Sequence, residues 1–233
     1  MQPTYAPELD FKGVALGAPA PDLRALLRDN GSAFASFVGF GLASLQKAYP
    51  KFGAALDTYL TPEGQTAMAD ARSRCLVPNF FADMFTDYQR YFTIPIPQFL
   101  EVPDVKETFD AATLGYSNPG MPMYVYQAAL DEAVPVATTD KMVDQYCASG
   151  TPVQYQRDHL SDHPTMTTVG MPGALNWLET RLAPNAPIAN RCHTEDSLST
   201  YLNPGNAATQ LQIGLATAGA ALGLPVGPQF GPK

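Results

Sequence analysis

The 233-residue chain is 45% hydrophobic and 15% charged, enough apolar content to bury a core in one large or two small domains and too much for a disordered tail. Fourteen Lys and Arg stand against 22 Asp and Glu, a net charge of -8 that repels phosphate backbones and anionic headgroups. The basic residues are scattered singly, and no zinc-finger, RNP or P-loop pattern occurs, so nucleic acid is excluded as an expected partner.

In chain order, the first segment, MQPTYAPELDFKG, lacks the basic start and apolar stretch of a signal peptide. FKGVALGAP, Phe11–Pro19, is short, apolar and closed by glycine and proline, and reads as a buried strand. From Ala20 to about Pro119 the pattern is helical. SAFASFVGFGLASLQKAY is one helix and TPEGQTAMADARSRCL another, with Thr61 as N-cap and Pro62 in the first turn. NFFADMFTDYQRYF is predicted as a helix capped by Asn79, with Phe81, Met84, Phe85, Tyr88 and Phe92 as its stripe. DVKETFDAATLG repeats the theme with Val105, Phe109 and Ala112.

After Pro119 the rhythm changes. MPMYVYQAA reads as a strand, and TTDKMVDQYCASG as a helix with Met142, Val143, Tyr146 and Cys147 on one face before Gly150. PVQYQRD is a second strand. MPGALNWLETRL is a helix with Leu175, Leu178 and Leu182 along one side. Strand, helix, strand, helix specifies a parallel unit and an α/β fold. From about Asn190 the chain is rich in Ala, Gly and Pro, and the expectation is a loosely packed helix or flexible tail. Gln210, Gln212 and two threonines argue against a transmembrane segment there.

In open parallel sheets, functional groups gather beyond the carboxyl ends of the strands. Asp131 and Glu132, in ALDEAVPV, follow one predicted strand, and His163, in RDHLSDHPT, follows the next, 32 residues after Asp131. That spacing suits a relay in which a carboxylate fixes the tautomer of a histidine acting as general base. The bland alternative is a turn-capping Asp131 and a surface His163. A competing alternative pairs His159 and His163 with Asp158 and Asp162 as metal ligands, but it needs a helix where the chain leaves a strand and Pro164 follows His163. His193 is read as a solvated residue. No serine sits in a G-x-S-x-G elbow; the nearest, Ser117 in GYSNPG, leads into a strand and reads as a loop residue. Cys75, Cys147 and Cys192 form no close C-x-x-C pair, and their odd number leaves one over.

The stretches FKGVALGAPAPDL, MYVYQAALDEAVPVATTDKMVDQYCASGTPVQYQRD and DHPTMTTVGMPGALNWLETRL resemble the secretory lipases of actinomycetes and fungi, cap-bearing α/β-hydrolases related to a yeast lipase A. The similarity spans roughly residues 5–192, and its D-E-x-V-P element with the downstream Y-C-x-x-G is the most specific part. It implies about three late parallel strands of an α/β-hydrolase sheet, from 1–19 and 120–192, a mostly helical cap at 20–119, and a tail at 193–233. It also implies a triacylglycerol-type lipase acting on fatty-acyl esters, with Asp131 as triad acid and His163 as triad histidine, and no metal or organic cofactor.

The resemblance further implies a disulfide between Cys147 and Cys192, worth roughly 4 kcal/mol by loop-closure entropy, and a secreted protein. The family's serine elbow and oxyanion donor lie in a region that these residues do not include, as does the partner expected for Cys75. The chain therefore resembles a C-terminal portion, inactive unless an upstream half or a second chain supplies the nucleophile. The alternative reading is a non-catalytic lipid-binding or relic fragment.

Overall fold

A computed structural model describes residues 6–28, 31–187 and 189–225. The expected start of the resemblance at residue 5 and the last part of the tail, 226–233, lie outside the described residues. The chain divides into two compact units: Met1–Pro19, Ser117–Glu132 and Thr139–Lys233 in one, Ala20–Tyr116 and Ala133–Thr138 in the other.

The first unit is built on four parallel strands, β1 (Val14–Gly17), β2 (Met123–Ala128), β3 (Val153–Asp158) and β4 (His193–Ser197), adjacent in the order β1-β2-β3-β4. Val14 is opposite Met123, Met123 opposite Val153 and Gln154 opposite His193, so the carboxyl ends of the strands share one edge. A fourth strand extends the parallel sheet of about three strands expected from the sequence, and His193 starts it. HTEDS contains no apolar side chain, so its hydropathy carries no strand signal. Backbone pairing with β3 and the Cys147–Cys192 disulfide, with Cα atoms 6.0 Å apart, hold it at the sheet edge.

The helix after β2, Val136–Ala148, buries Met142, Val143 and Tyr146 against Met123 and Val125 of β2 and Val153 and Tyr155 of β3. That is the predicted stripe. Two further helices, His163–Val169 and Met171–Leu182, meet at Gly170, where an added methyl would lie 2.2 Å from the Tyr126 ring. In the second of these the buried face is Pro172, Gly173, Ala174 and Arg181, while Leu175 and Leu182 are exposed, so the expected leucine stripe does not face this core. The small residues let the helix approach the Tyr124 ring, whose hydroxyl would lie 2.6 Å from a methyl on Gly173.

The tail resolves into a helix, Pro204–Ala221, started by the Asn203 side chain accepting from the Gly205 and Asn206 amides and burying none of its own residues. No helix among the described residues is long and apolar enough to cross a membrane.

The second unit is helical: Leu23–Arg28, Ser36–Ala48, Pro50–Tyr59, Pro62–Ser73, Leu76–Asp83, Ile96–Phe99 and Pro103–Ala112, with a 3-10 turn at Tyr88–Tyr91. Thr61 Oγ1 accepts from the Gly64 amide at 3.1 Å and Pro62 opens the helix behind it, as the sequence pattern predicts. Phe52, Phe99, Phe109, Leu42, Leu56 and Val105 form the centre of the core, with ring centroids 5.7 Å apart for Phe52 and Phe109 and 4.9 Å for Phe92 and Phe99.

The predicted helix from Asn79 to Phe92 is not continuous. It begins at Leu76, buries Asn79 inside instead of using it as a cap, and stops at Asp83. Phe85 then takes a left-handed backbone, φ 59°, before the 3-10 turn. Tyr88 and Phe92 enter the core, but Phe81 and Phe85 are 69% and 65% exposed.

Candidate functional site

β2 ends at Ala128 and the chain turns at once, the Asp131 amide donating to the Ala128 carbonyl at 3.3 Å and the Ala129 amide to the Asp158 carbonyl of β3 at 2.8 Å. This turn holds the Asp131 carboxylate at the carboxyl edge of the sheet with its side chain 0% exposed. Gln127, the fully buried penultimate residue of β2, donates from Nε2 to Asp131 Oδ2 at 2.7 Å and accepts from the Thr139 hydroxyl at 3.3 Å.

His163 arrives from the other side through a loop organised by carboxylates. Asp158, at the end of β3, accepts from the amides of Leu160 at 3.0 Å, Ser161 at 2.9 Å and Thr200 at 2.6 Å. Burial pushes the Asp158 carboxyl up, but these donors outweigh it and hold it below the usual carboxylate range. Asp162 then caps the next helix: its Oδ1 accepts from the Thr165 amide at 2.9 Å, and Thr165 Oγ1 accepts from the Asp162 amide at 3.0 Å. His163 is thereby the first residue of the helix, with Pro164 beside it in the first turn, where a missing N–H costs nothing.

The two branches meet. His163 Nδ1 lies 2.8 Å from Asp131 Oδ2 and 3.1 Å from Oδ1, and the His163 amide donates to Glu132 Oε2 at 3.0 Å. The imidazole is 24% exposed. Hydrogen bonding to Asp131 raises its pKa, against the opposing effect of burial, and the charges of Asp131, Glu132 and Asp162 add to the rise. With Nδ1–H directed at a buried carboxylate, the tautomer is defined and Nε2 is the ring nitrogen that carries the lone pair when the imidazole is neutral.

The other candidates go elsewhere. His159 Nε2 lies 2.8 Å from Asp196 Oδ1, Asp158 is turned onto backbone amides, and Asp162 is a cap, so the four residues of the metal reading have four separate partners. Among the described residues no three His, Cys, Asp or Glu side chains converge on a metal-binding arrangement. Cys147 pairs with Cys192, and Cys75 is free and exposed.

A family model described as secretory lipase matches residues 1–190. The chain belongs to the secretory lipase family. Among its relatives, Lipase A of Arthroderma benhamiae is 29% identical over 232 residues, covering 99% of this chain and 49% of that protein. A probable inactive lipase of Mycobacterium tuberculosis is 28% identical over 215 residues, covering 92% of this chain and 48% of that one. The chain thus spans about half the length of the relatives it matches. The crystal structure of Candida antarctica lipase A superposes with a TM-score of 0.80 at 20% identity, over 90% of this chain and 50% of that one, which establishes an α/β-hydrolase-like fold.

Within this secretory lipase chain, sequence reasoning did not single out Gln127, and it named Asp158 and Glu132 without the roles that they take around the histidine. Gln127 and Asp158 are strand residues that hydropathy reads as ordinary alternation, and their roles depend on tertiary partners. Glu132 was visible beside Asp131, but nothing local says that it takes the amide of a residue 31 positions later.

Proposed function

We propose that Asp131 and His163 are the acid and base of a Ser-His-Asp carboxylic-ester hydrolase acting on fatty-acyl esters, with the serine supplied from outside these 233 residues. The observation that carries this reading is the 2.8 Å contact between His163 Nδ1 and the fully buried Asp131 carboxylate. In this mechanism Nε2 of His163 removes the serine proton as the hydroxyl attacks the ester carbonyl. Asp131 stabilises the imidazolium that results. His163 then returns the proton to the departing alkoxide, and repeats the cycle on water to release the acid.

Support for the acyl substrate comes from the family, and support for a secreted, oxidised protein from the family's secretory character and the Cys147–Cys192 bridge. Residues 20–119 serve as the helical cap of the hydrolase in this reading. No G-x-S-x-G occurs in the chain, so an acid and base alone have nothing to activate. The purified chain is expected to release no p-nitrophenol from a p-nitrophenyl ester, and the same chain joined to a family sequence carrying the elbow is expected to do so, unless His163 is replaced by alanine. Turnover by the homogeneous chain alone, or survival of activity in His163→Ala, rejects the assignment.

A second reading, a non-catalytic lipid-binding or relic fragment, is favoured by one observation: Leu76, Val77, Phe81 and Phe85 leave an apolar surface exposed on one helix and the turn after it. Saturable fatty-acid binding by the isolated chain, lost in Phe81→Ser with Phe85→Ser, together with an inactive joined protein, selects this second reading.

A further inference from the structure

At the amino ends of β2, β3 and β4, the edge opposite Asp131 and His163, the first unit contains a cavity of about 560 Å³. Its walls include Met123 and Trp177, and its charged lining is Arg181, Arg191 and Glu195, with His193 between the last two in sequence. Arg181 stands in the last turn of the helix Met171–Leu182 and is only 8% exposed. Its guanidinium lies 5.7 Å from the centroid of the Trp177 ring, and its Nε has no hydrogen-bond partner among the described residues.

A guanidinium keeps its charge at any ordinary pH, and a buried charge is costly unless an anion accompanies it. Arg157, elsewhere on the sheet, shows the contrast: its two terminal nitrogens reach Asp140 at 3.4 Å and Asp196 at 3.0 Å, although its Nε, like that of Arg181, has no hydrogen-bond partner among the described residues. Arg181 has a ring face in place of a carboxylate. The cavity it lines falls within the range of small-molecule sites and far exceeds one inorganic ion.

We propose that this cavity is a binding site for a monocarboxylate with an apolar tail, its carboxylate on Arg181 and its tail along Trp177. Two arginines against one glutamate give the lining a surplus of one positive charge, which matches a monoanion and disfavours a dianion such as phosphate. The planar guanidinium, held over the Trp177 ring, has the fork of donors that matches a carboxylate and that ammonium groups lack. The disulfide at Cys192 tethers the start of β4 between Arg191 and His193, so the wall bearing those two residues is covalently tied to the helix Val136–Ala148. The site is separate from the Asp131–His163 pair and stands whether or not that pair is catalytic.

Trp177 is the single tryptophan of the chain, so its emission reports on this cavity directly. Sodium octanoate, titrated into the full chain below its micelle concentration, is expected to change Trp177 emission saturably, while 1-octanol and inorganic phosphate do not. Arg181→Gln is expected to weaken octanoate at least tenfold, with Arg181→Lys intermediate. An equal response to octanol, an equal response to phosphate, or an unchanged affinity in a folded Arg181→Gln protein overturns the proposal. Should Arg181→Gln not fold, the exposed Arg191 and Glu195 decide it: Arg191→Gln is expected to weaken octanoate and Glu195→Gln to tighten it, each by severalfold, and no change in either overturns it.

Discussion

The two units of this chain are stabilised in different ways. Among the described residues of 20–116, one cluster holds eighteen buried apolar side chains, Phe52, Phe99 and Phe109 among them. The cluster between the sheet and the helix Val136–Ala148 has seven among the described residues, supplemented by a disulfide and by the Asp158 and Gln127 hydrogen-bond networks. Burial is non-directional and tolerates an irregular path, which is why a broken helix at Phe85 can still deliver Tyr88 and Phe92 to the core. Hydrogen bonds and covalent bridges are directional, and a histidine must be held to within a fraction of an ångström to exchange protons. The unit with the smaller apolar cluster is accordingly the one that carries the candidate chemistry.

That contrast can be broken experimentally, beginning with the largest effect. In a joined, active hydrolase, Asp131→Asn is expected to lower kcat by about 10⁴-fold through loss of the tautomer, with thermal unfolding little changed; comparable turnover would remove Asp131 from the mechanism. Phe52→Ala is expected to cost about 3–5 kcal/mol by leaving a cavity among Phe99, Phe109 and Leu56. Hydrogen exchange should localise that loss to residues 20–116, and a loss spread evenly over both units would contradict the division.

Replacing Cys147 and Cys192 by serine is expected to cost up to about 4 kcal/mol for the 45-residue separation. Here the increase in exchange should fall on β3 and β4, with the aromatic core protected as before. Asp158→Asn is a smaller change, about 1–3 kcal/mol, because the amides of Leu160, Ser161 and Thr200 lose a charged acceptor. Since Asp158 is held below its ordinary range, its contribution is present above the unfolded value near 3.8 and disappears as pH falls through the lower folded value.

The pH response of His163 has the opposite sign and the smallest amplitude. Its folded pKa lies above 6.5, so the stabilisation from Asp131 is complete below that value and is lost as pH rises through the folded pKa. In the joined hydrolase the same shift predicts a turnover that rises with pH across that window as the imidazole becomes neutral. A His163→Gln chain whose stability keeps the wild-type slope above pH 6.5 would show that the titration belongs to another group.

Much of this was legible in one dimension because it is local. The apolar run at Met123–Ala128, the alternation of Val153, Tyr155 and Arg157 with glutamines, the stripe Met142, Val143 and Tyr146, and the Thr61–Pro62 helix start are written in periodicity and cap chemistry. The order of a carboxylate after one strand and a histidine after the next singled out Asp131 and His163, since parallel strands align their carboxyl ends.

Tertiary structure decided what periodicity cannot encode. HTEDS becomes a strand only because β3 offers its edge and a disulfide holds it there. Leu175 and Leu182 of Met171–Leu182 face outward because small residues on the other side admit the Tyr124 ring, and the same packing buries Arg181 beside Trp177. Local sequence determines what a segment can form on its own; the partners of a buried charge or an edge strand are set by residues tens of positions away, and only the folded chain brings them together.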